Sequence, residues 1–172
     1  MKKITFVIIL LLAALLVGGY AYYGGFNSPS VTVTTASTAH VVGKYYVGSV
    51  KDESFGKLFQ HATELVEQNK LQGQLGGIYY NNPEEDNDTI KAFVGVVVAS
   101  PDVTPPVGYE LRTVEGGQKV VQAEVNAHYM LAPNKLYPAI FEYAEKNNLK
   151  LKTLYLERYP TSRHAIVQVP VL

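Results

Sequence analysis

The hydrophobic pattern divides the chain into two unequal parts. Ile4 to Val17 is an apolar run interrupted only by Thr5, and Gly18 to Gly25 continues it with small and aromatic residues and no charge. As a helix these residues would measure about 30 Å, the depth of a bilayer's hydrocarbon core. Tyr20, Tyr22 and Tyr23 fall where an interfacial aromatic belt forms. The strictly apolar stretch alone would also suit a signal peptide, with Gly19 and Ala21 as the small residues of a cleavage site, but the three tyrosines crowd that site. Residues 1–25 are therefore read as an uncleaved anchor, 26–39 as a polar tether or edge strand, and 40–172 as a domain.

Within the domain the period changes twice. Helical spacing places Leu58, Ala62, Leu65, Val66 and Asn69 on one stripe and Leu136, Ile140, Tyr143, Ala144 and Asn147 on another. Asn134 is the expected N-cap of the second helix, which would put Pro138 in its first turn. Shifted by 78 positions, Lys57–Leu71 lies over Lys135–Leu149 with six identities, against about one expected by chance. The flanks repeat as well. Alternating strands precede each helix (Val41–Val50, Lys119–Ala127) and follow it (Leu75–Asn81 and Thr89–Ala99; Leu151–Arg158 and His164–Val171). Ser100–Gly108 reads as a loop, and Tyr109–Val114, turning at Gly116-Gly117, as an extra hairpin strand. The expected fold is α+β: two β-α-β-β units (about 41–99 and 119–172) forming one mainly antiparallel sheet with two helices, preceded by a transmembrane helix.

Charge sharpens this division. The chain has 15 basic and 15 acidic residues, none of them between Ile4 and Gly43. With Lys2 and Lys3 before the apolar run and no charge after it until Lys44, the positive-inside rule predicts a single-pass protein with a cytoplasmic N-terminus and an extracytoplasmic domain. A near-neutral domain without a basic block is not expected to bind nucleic acid. The absence of cysteine excludes thiol catalysis, disulfides and thiolate metal sites. His40, His61, His128 and His164 lack metal-ligand spacing, no serine sits in a G-x-S-x-G setting, and no metal or cofactor is expected. The acidic run Glu84-Glu85-Asp86-Asn87-Asp88 fails the EF-hand pattern and reads as a solvated loop.

Tyr45-Tyr46-Val47-Gly48, Gly77-Ile78-Tyr79-Tyr80-Asn81-Asn82-Pro83 and Tyr155-Leu156-Glu157-Arg158-Tyr159-Pro160 stand in matching places around the two helices. In these motifs the chain from Val41 onward resembles the GyrI-like small-molecule-binding domain, also the effector-binding domain of multidrug-sensing transcription regulators. The anchored layout is most similar to the family's membrane-anchored branch, related to a testis-expressed receptor for endoplasmic-reticulum autophagy. The autophagy role depends on a long acidic tail absent from these 172 residues, so it is not expected here. Gly48 fits the glycine of the family's Gly-x-Tyr turn in the first copy, whereas the second copy reads Asn126-Ala127-His128-Tyr129-Met130.

Strand alternation puts Thr153, Tyr155, Glu157 and Tyr159 on one face and Leu154, Leu156 and Arg158 on the other. A carboxylate flanked by tyrosines suits an organic cation: the rings offer π faces and the carboxylate a counter-charge. The resemblance implies that Glu157 faces the ligand cavity, with Tyr46, Tyr79, Tyr80, Tyr129 and Tyr155 as candidate lining. Aligning Pro83 with Pro160 places Tyr80 opposite Glu157. Two other functions stay open. The resemblance also allows a hydrolase of small strained metabolites using Glu157 as acid or base, and an exposed patch would make the domain a protein-interaction adaptor. If Glu157 is instead a solvated residue paired with Arg158 or a lysine, it has no special role.

Overall fold

The computed structural model describes residues 2–82 and 88–172, with side chains from Ile4 onward. Pro83 and residues 84–87 of the acidic run lie outside the described residues, as does the alignment of Pro83 with Pro160. The elements are α1 (Lys2–Tyr22), β1 (Ser30–Thr35), β2 (Ala39–Ser49), α2 (Glu53–Glu67), β3 (Gln74–Tyr79), β4 (Thr89–Val98), β5 (Glu110–Val114), β6 (Lys119–Val125), α3 (Pro133–Lys146), β7 (Tyr155–Thr161) and β8 (His164–Pro170). All eight strands join one antiparallel sheet in the order β1-β6-β8-β7-β3-β4-β2-β5. The α+β fold is the expected one, and α1 is long and apolar enough to cross a membrane.

The strand order is a palindrome about its centre. Repeat one contributes β2-β4-β3 and repeat two β6-β8-β7, meeting where Ile78 pairs with Leu156, 78 positions on. β1 and β5 are exchanged: β1 precedes β2 but pairs with β6, and β5 precedes β6 but pairs with β2. Tyr109–Val114 is therefore an edge strand of the other half and does not form the expected hairpin.

This exchange bends the sheet. β1 and β2 stand six places apart, about 29 Å in a flat sheet at ~4.8 Å per strand. The four Cα steps from Thr35 to Ala39 can reach only about 15 Å, so the sheet must fold toward itself at that end. The two exchanged connections meet there: Gly117 N donates to Ala36 O (2.8 Å), and Gly116 N to Thr38 Oγ1 (3.2 Å). A Cβ at Gly116 would lie 2.4 Å from Thr38 N. A row of glycines supplies the crease across three strands, with Gly43 opposite Gly95 and Gly95 opposite Gly76. A Cβ at Gly95 would stand 2.0 Å from Val42 O.

Both helices cover one face. α3 buries Leu136, Ile140 and Ala144, but α2 fully buries only Ala62, so it rides higher and leaves space beneath. Asn134 is not the N-cap of α3: Ala132 holds that position, Pro133 opens the helix, and Pro138 lies inside the helix beyond the first turn. Lacking an N–H, Pro138 cannot bond the carbonyl of Asn134. Nor do Asn69 and Asn147 belong to buried stripes. Asn69 and Asn148 carry the left-handed turns (φ 54° and 52°) that end the helices, so the halves slip by one residue there. β7 starts at Tyr155 rather than Leu151, which makes only an isolated bridge to Val171.

Candidate functional site

Tyr155, Glu157 and Tyr159 alternate onto the helix-covered face of β7, and Tyr79 reaches the same face from β3. Gly77 stands directly across from Glu157 and leaves the space over the carboxylate free of a side chain. Glu157 is 3% exposed, so it is neither solvated nor paired with Arg158, which points to the other face of the sheet. Tyr137 of α3 donates its hydroxyl to Oε1 (2.5 Å) and Tyr159 donates to Oε2 (2.6 Å), while the buried Tyr79 phenol faces the same carboxyl.

Opposing forces set the state of this carboxyl. Burial pushes its pKa up, and the phenol bonds, from Tyr137 first and then Tyr159, pull it part of the way back, leaving it above the usual carboxylate value. Burial, and then the facing carboxylate, hold the phenols of Tyr79, Tyr137 and Tyr159 well above their ordinary range, so they remain donors.

Two lobes of open space meet at Tyr79 and Glu157. The larger, about 760 Å³, runs under α2 past Phe55, Phe59 and Leu75 to Tyr129 and Met130. The smaller, about 300 Å³, lies beside α3 between Tyr137, Phe141, Ile90 and Asn82. Among the described residues neither lobe is lined by Lys or Arg, while Glu64 and Glu67 stand on the larger one.

The other sequence candidates are distributed unevenly. Tyr155 is buried, with its ring 5.3 Å from Tyr137. Tyr129 lines the larger lobe, 6.2 Å from the Tyr159 ring. Tyr46 does not line the cavity; it stacks behind Phe55 and bonds Ser49 O and Asp52, bracing the start of α2. Tyr80 lies on the opposite face, where its hydroxyl accepts from Arg112 (3.0 Å). The residue equivalent to Glu157 is Tyr79, because the Ile78–Leu156 pair fixes the offset at 78, not the 77 that the proline alignment implies. Sequence reasoning overlooked Tyr137, which sits one position off the Leu136 stripe; its signal was the i, i+4 aromatic pair with Phe141. Among the described residues, no cluster of His, Asp and Glu could hold a metal.

A polar anchor sunk in an aromatic cavity between helices and a sheet defines a small-molecule-binding module. The chain belongs to the GyrI-like small-molecule-binding domain family, which residues 29–170 match. Similar solved structures agree in fold. An integron cassette protein from Vibrio cholerae aligns with a TM-score of 0.64 at 16% identity, over 85% of this chain and 99% of its own. SAV2435 bound to tetraphenylphosphonium aligns at 0.58 and 11%, over 83% and 94%. The EcmrR C-terminal domain aligns at 0.58 and 14%, over 84% and 98%. No curated protein matches the chain by sequence.

Proposed function

We propose that the protein is a membrane-tethered module that binds an amphipathic organic cation in the cavity over Glu157. The observation carrying this reading is a carboxyl 3% exposed, held by phenols and met by no basic side chain in a cavity whose other described charges are acidic. An unpaired buried charge is costly, and an incoming cation supplies the missing counter-charge while the tyrosine rings offer π faces. Phe55, Phe59, Ile90 and Phe141 suit lipophilic substituents. The tetraphenylphosphonium complex of SAV2435, alike in fold, supports this ligand class.

The tether places the cavity mouth at a membrane surface. Ile4–Tyr22 has a mean hydropathy of 2.6, and its apolar window is not buried against the domain. Its end docks on the cavity rim: His128 N donates to Tyr23 O (2.9 Å), and the His128 ring lies 5.1 Å from Tyr23 and 4.2 Å from Tyr129. A ligand partitioned into the bilayer interface then reaches the larger lobe without crossing bulk water. Lys2 and Lys3 set the N-terminus in the cytoplasm and the domain outside it.

The test uses the full chain in neutral detergent with tetraphenylphosphonium and tetraphenylborate, matched in shape and opposite in charge. Saturable binding of the cation alone is expected, weakened at least about tenfold, or ~1.4 kcal/mol, by Glu157→Gln. Equal affinity of that variant for the cation would overturn the reading.

A further inference from the structure

The helix-free face of the sheet holds a second concavity of about 680 Å³, created where the exchanged strands fold the sheet on itself. Its wall is polar: Thr32 and Thr34 from β1, Gln122 from β6, Gln168 from β8 and Gln74 from β3. Among the described lining residues Arg158 is the one charged side chain, with no carboxylate beside it. Its Nε is buried and has no hydrogen-bond partner. The facing position on β3 is Gly76, so no side chain there covers the guanidinium.

Arg112, the other arginine on this face, shows the contrast. It is spent on the fold, bonded to Tyr80 and Glu110 and stacked 4.2 Å over the Phe93 ring. Arg158 has no such partners. Gln168, 7% exposed, donates to Gln122 Oε1 (2.7 Å), which orients both amides in the same groove. A planar cation with an unsatisfied buried donor, in a groove walled by amides and hydroxyls, matches an oxyanion: the guanidinium edge gives two parallel donors and the wall offers further donors to the remaining lone pairs.

We infer that this groove is a second binding site, for a small carboxylate or phosphate compound, with Arg158 as the anion anchor. It stands on the opposite side of the sheet from Glu157 and has the opposite charge preference. The two sites share β7, where residues 157 and 158 point to opposite faces.

The test follows the Arg158 Nε–H resonance of the full chain in maltoside micelles, titrated with sodium acetate or sodium phosphate against chloride at constant ionic strength. Saturable movement with at least one oxyanion is expected, and which one responds assigns the ligand as carboxylate or phosphate. By calorimetry, Arg158→Gln should weaken that anion at least about tenfold. Arg158→Lys, which keeps the charge and loses the two-donor edge, should weaken it less, and Glu157→Gln should leave it unchanged. An unmoved resonance, or equal affinity in a folded Arg158→Gln variant, overturns the inference. So does tighter anion binding in Glu157→Gln, which would put the anion in the other cavity, beside the removed carboxylate.

Discussion

Tyr79 and Glu157 occupy equivalent positions in the two halves, and the buried phenol of the first faces the carboxyl of the second. The duplication could have put acids at both positions, but two carboxylates this close would repel, and one would take up a proton. A phenol in one half and a carboxyl in the other instead leave a single carboxyl at the symmetric centre of the sheet.

Removing a phenol should show in the carboxyl itself. Each hydrogen bond to the anion is worth about 1.5–3 kcal/mol, so Tyr137→Phe and Tyr159→Phe should each raise the Glu157 pKa further. A carboxyl-carbon NMR titration measures this. Tyr143→Phe, whose hydroxyl makes no bond to Glu157, serves as the unchanged control.

The raised pKa also ties stability to pH. A carboxyl with a higher pKa folded than unfolded binds more protons in the folded state, so its contribution is fully present below the unfolded value of 4.5 and is lost as pH rises through the folded value. The stability of wild type relative to Glu157→Gln should therefore fall as pH climbs from 4.5, and at neutral pH the variant should unfold no earlier than wild type. Denaturant melts across that window decide it. A rising difference would contradict the assigned state of Glu157.

The crease should tolerate no side chain. Gly95→Ala puts a Cβ 2.0 Å from Val42 O and 2.5 Å from Gly43 Cα, an overpacking expected to cost ~1–3 kcal/mol. Gly56 of α2 meets nothing within 4 Å, so Gly56→Ala should add about 0.5–1 kcal/mol through helix propensity. Equal effects of the two changes in chemical denaturation would argue against the bend.

The tether makes a topological prediction. A reporter active only outside the cytoplasm, fused after Leu172, should be active, and a cytoplasm-only reporter silent. Substituting Lys2 and Lys3 by Glu should weaken that orientation, because the basic flank sets it. Activity of the cytoplasmic reporter alone would reverse the assignment.

Strand alternation separated Glu157 from Arg158, and helical periodicity located Leu136, Ile140 and Ala144, because both are local consequences of backbone geometry. The 40 uncharged residues marked α1, and the offset of 78 placed the two helices over one another. Nothing local distinguished Tyr79 from Tyr80: a choice between offsets of 78 and 77 moves a side chain to the other face, and only the Ile78–Leu156 pairing decides it. Tyr137 joined Glu157 only because α3 lies on the sheet at one angular setting. Exchange of β1 and β5 was invisible for the same reason, since an edge strand carries no mark of its partner. The sequence by itself determined the elements, the duplication and the alternation of Tyr155, Glu157 and Tyr159 against Arg158. Tertiary structure decided which of them meet, because the pairing of β3 with β7 brings Tyr79 to Glu157 from 78 positions away and the docking of α3 adds Tyr137.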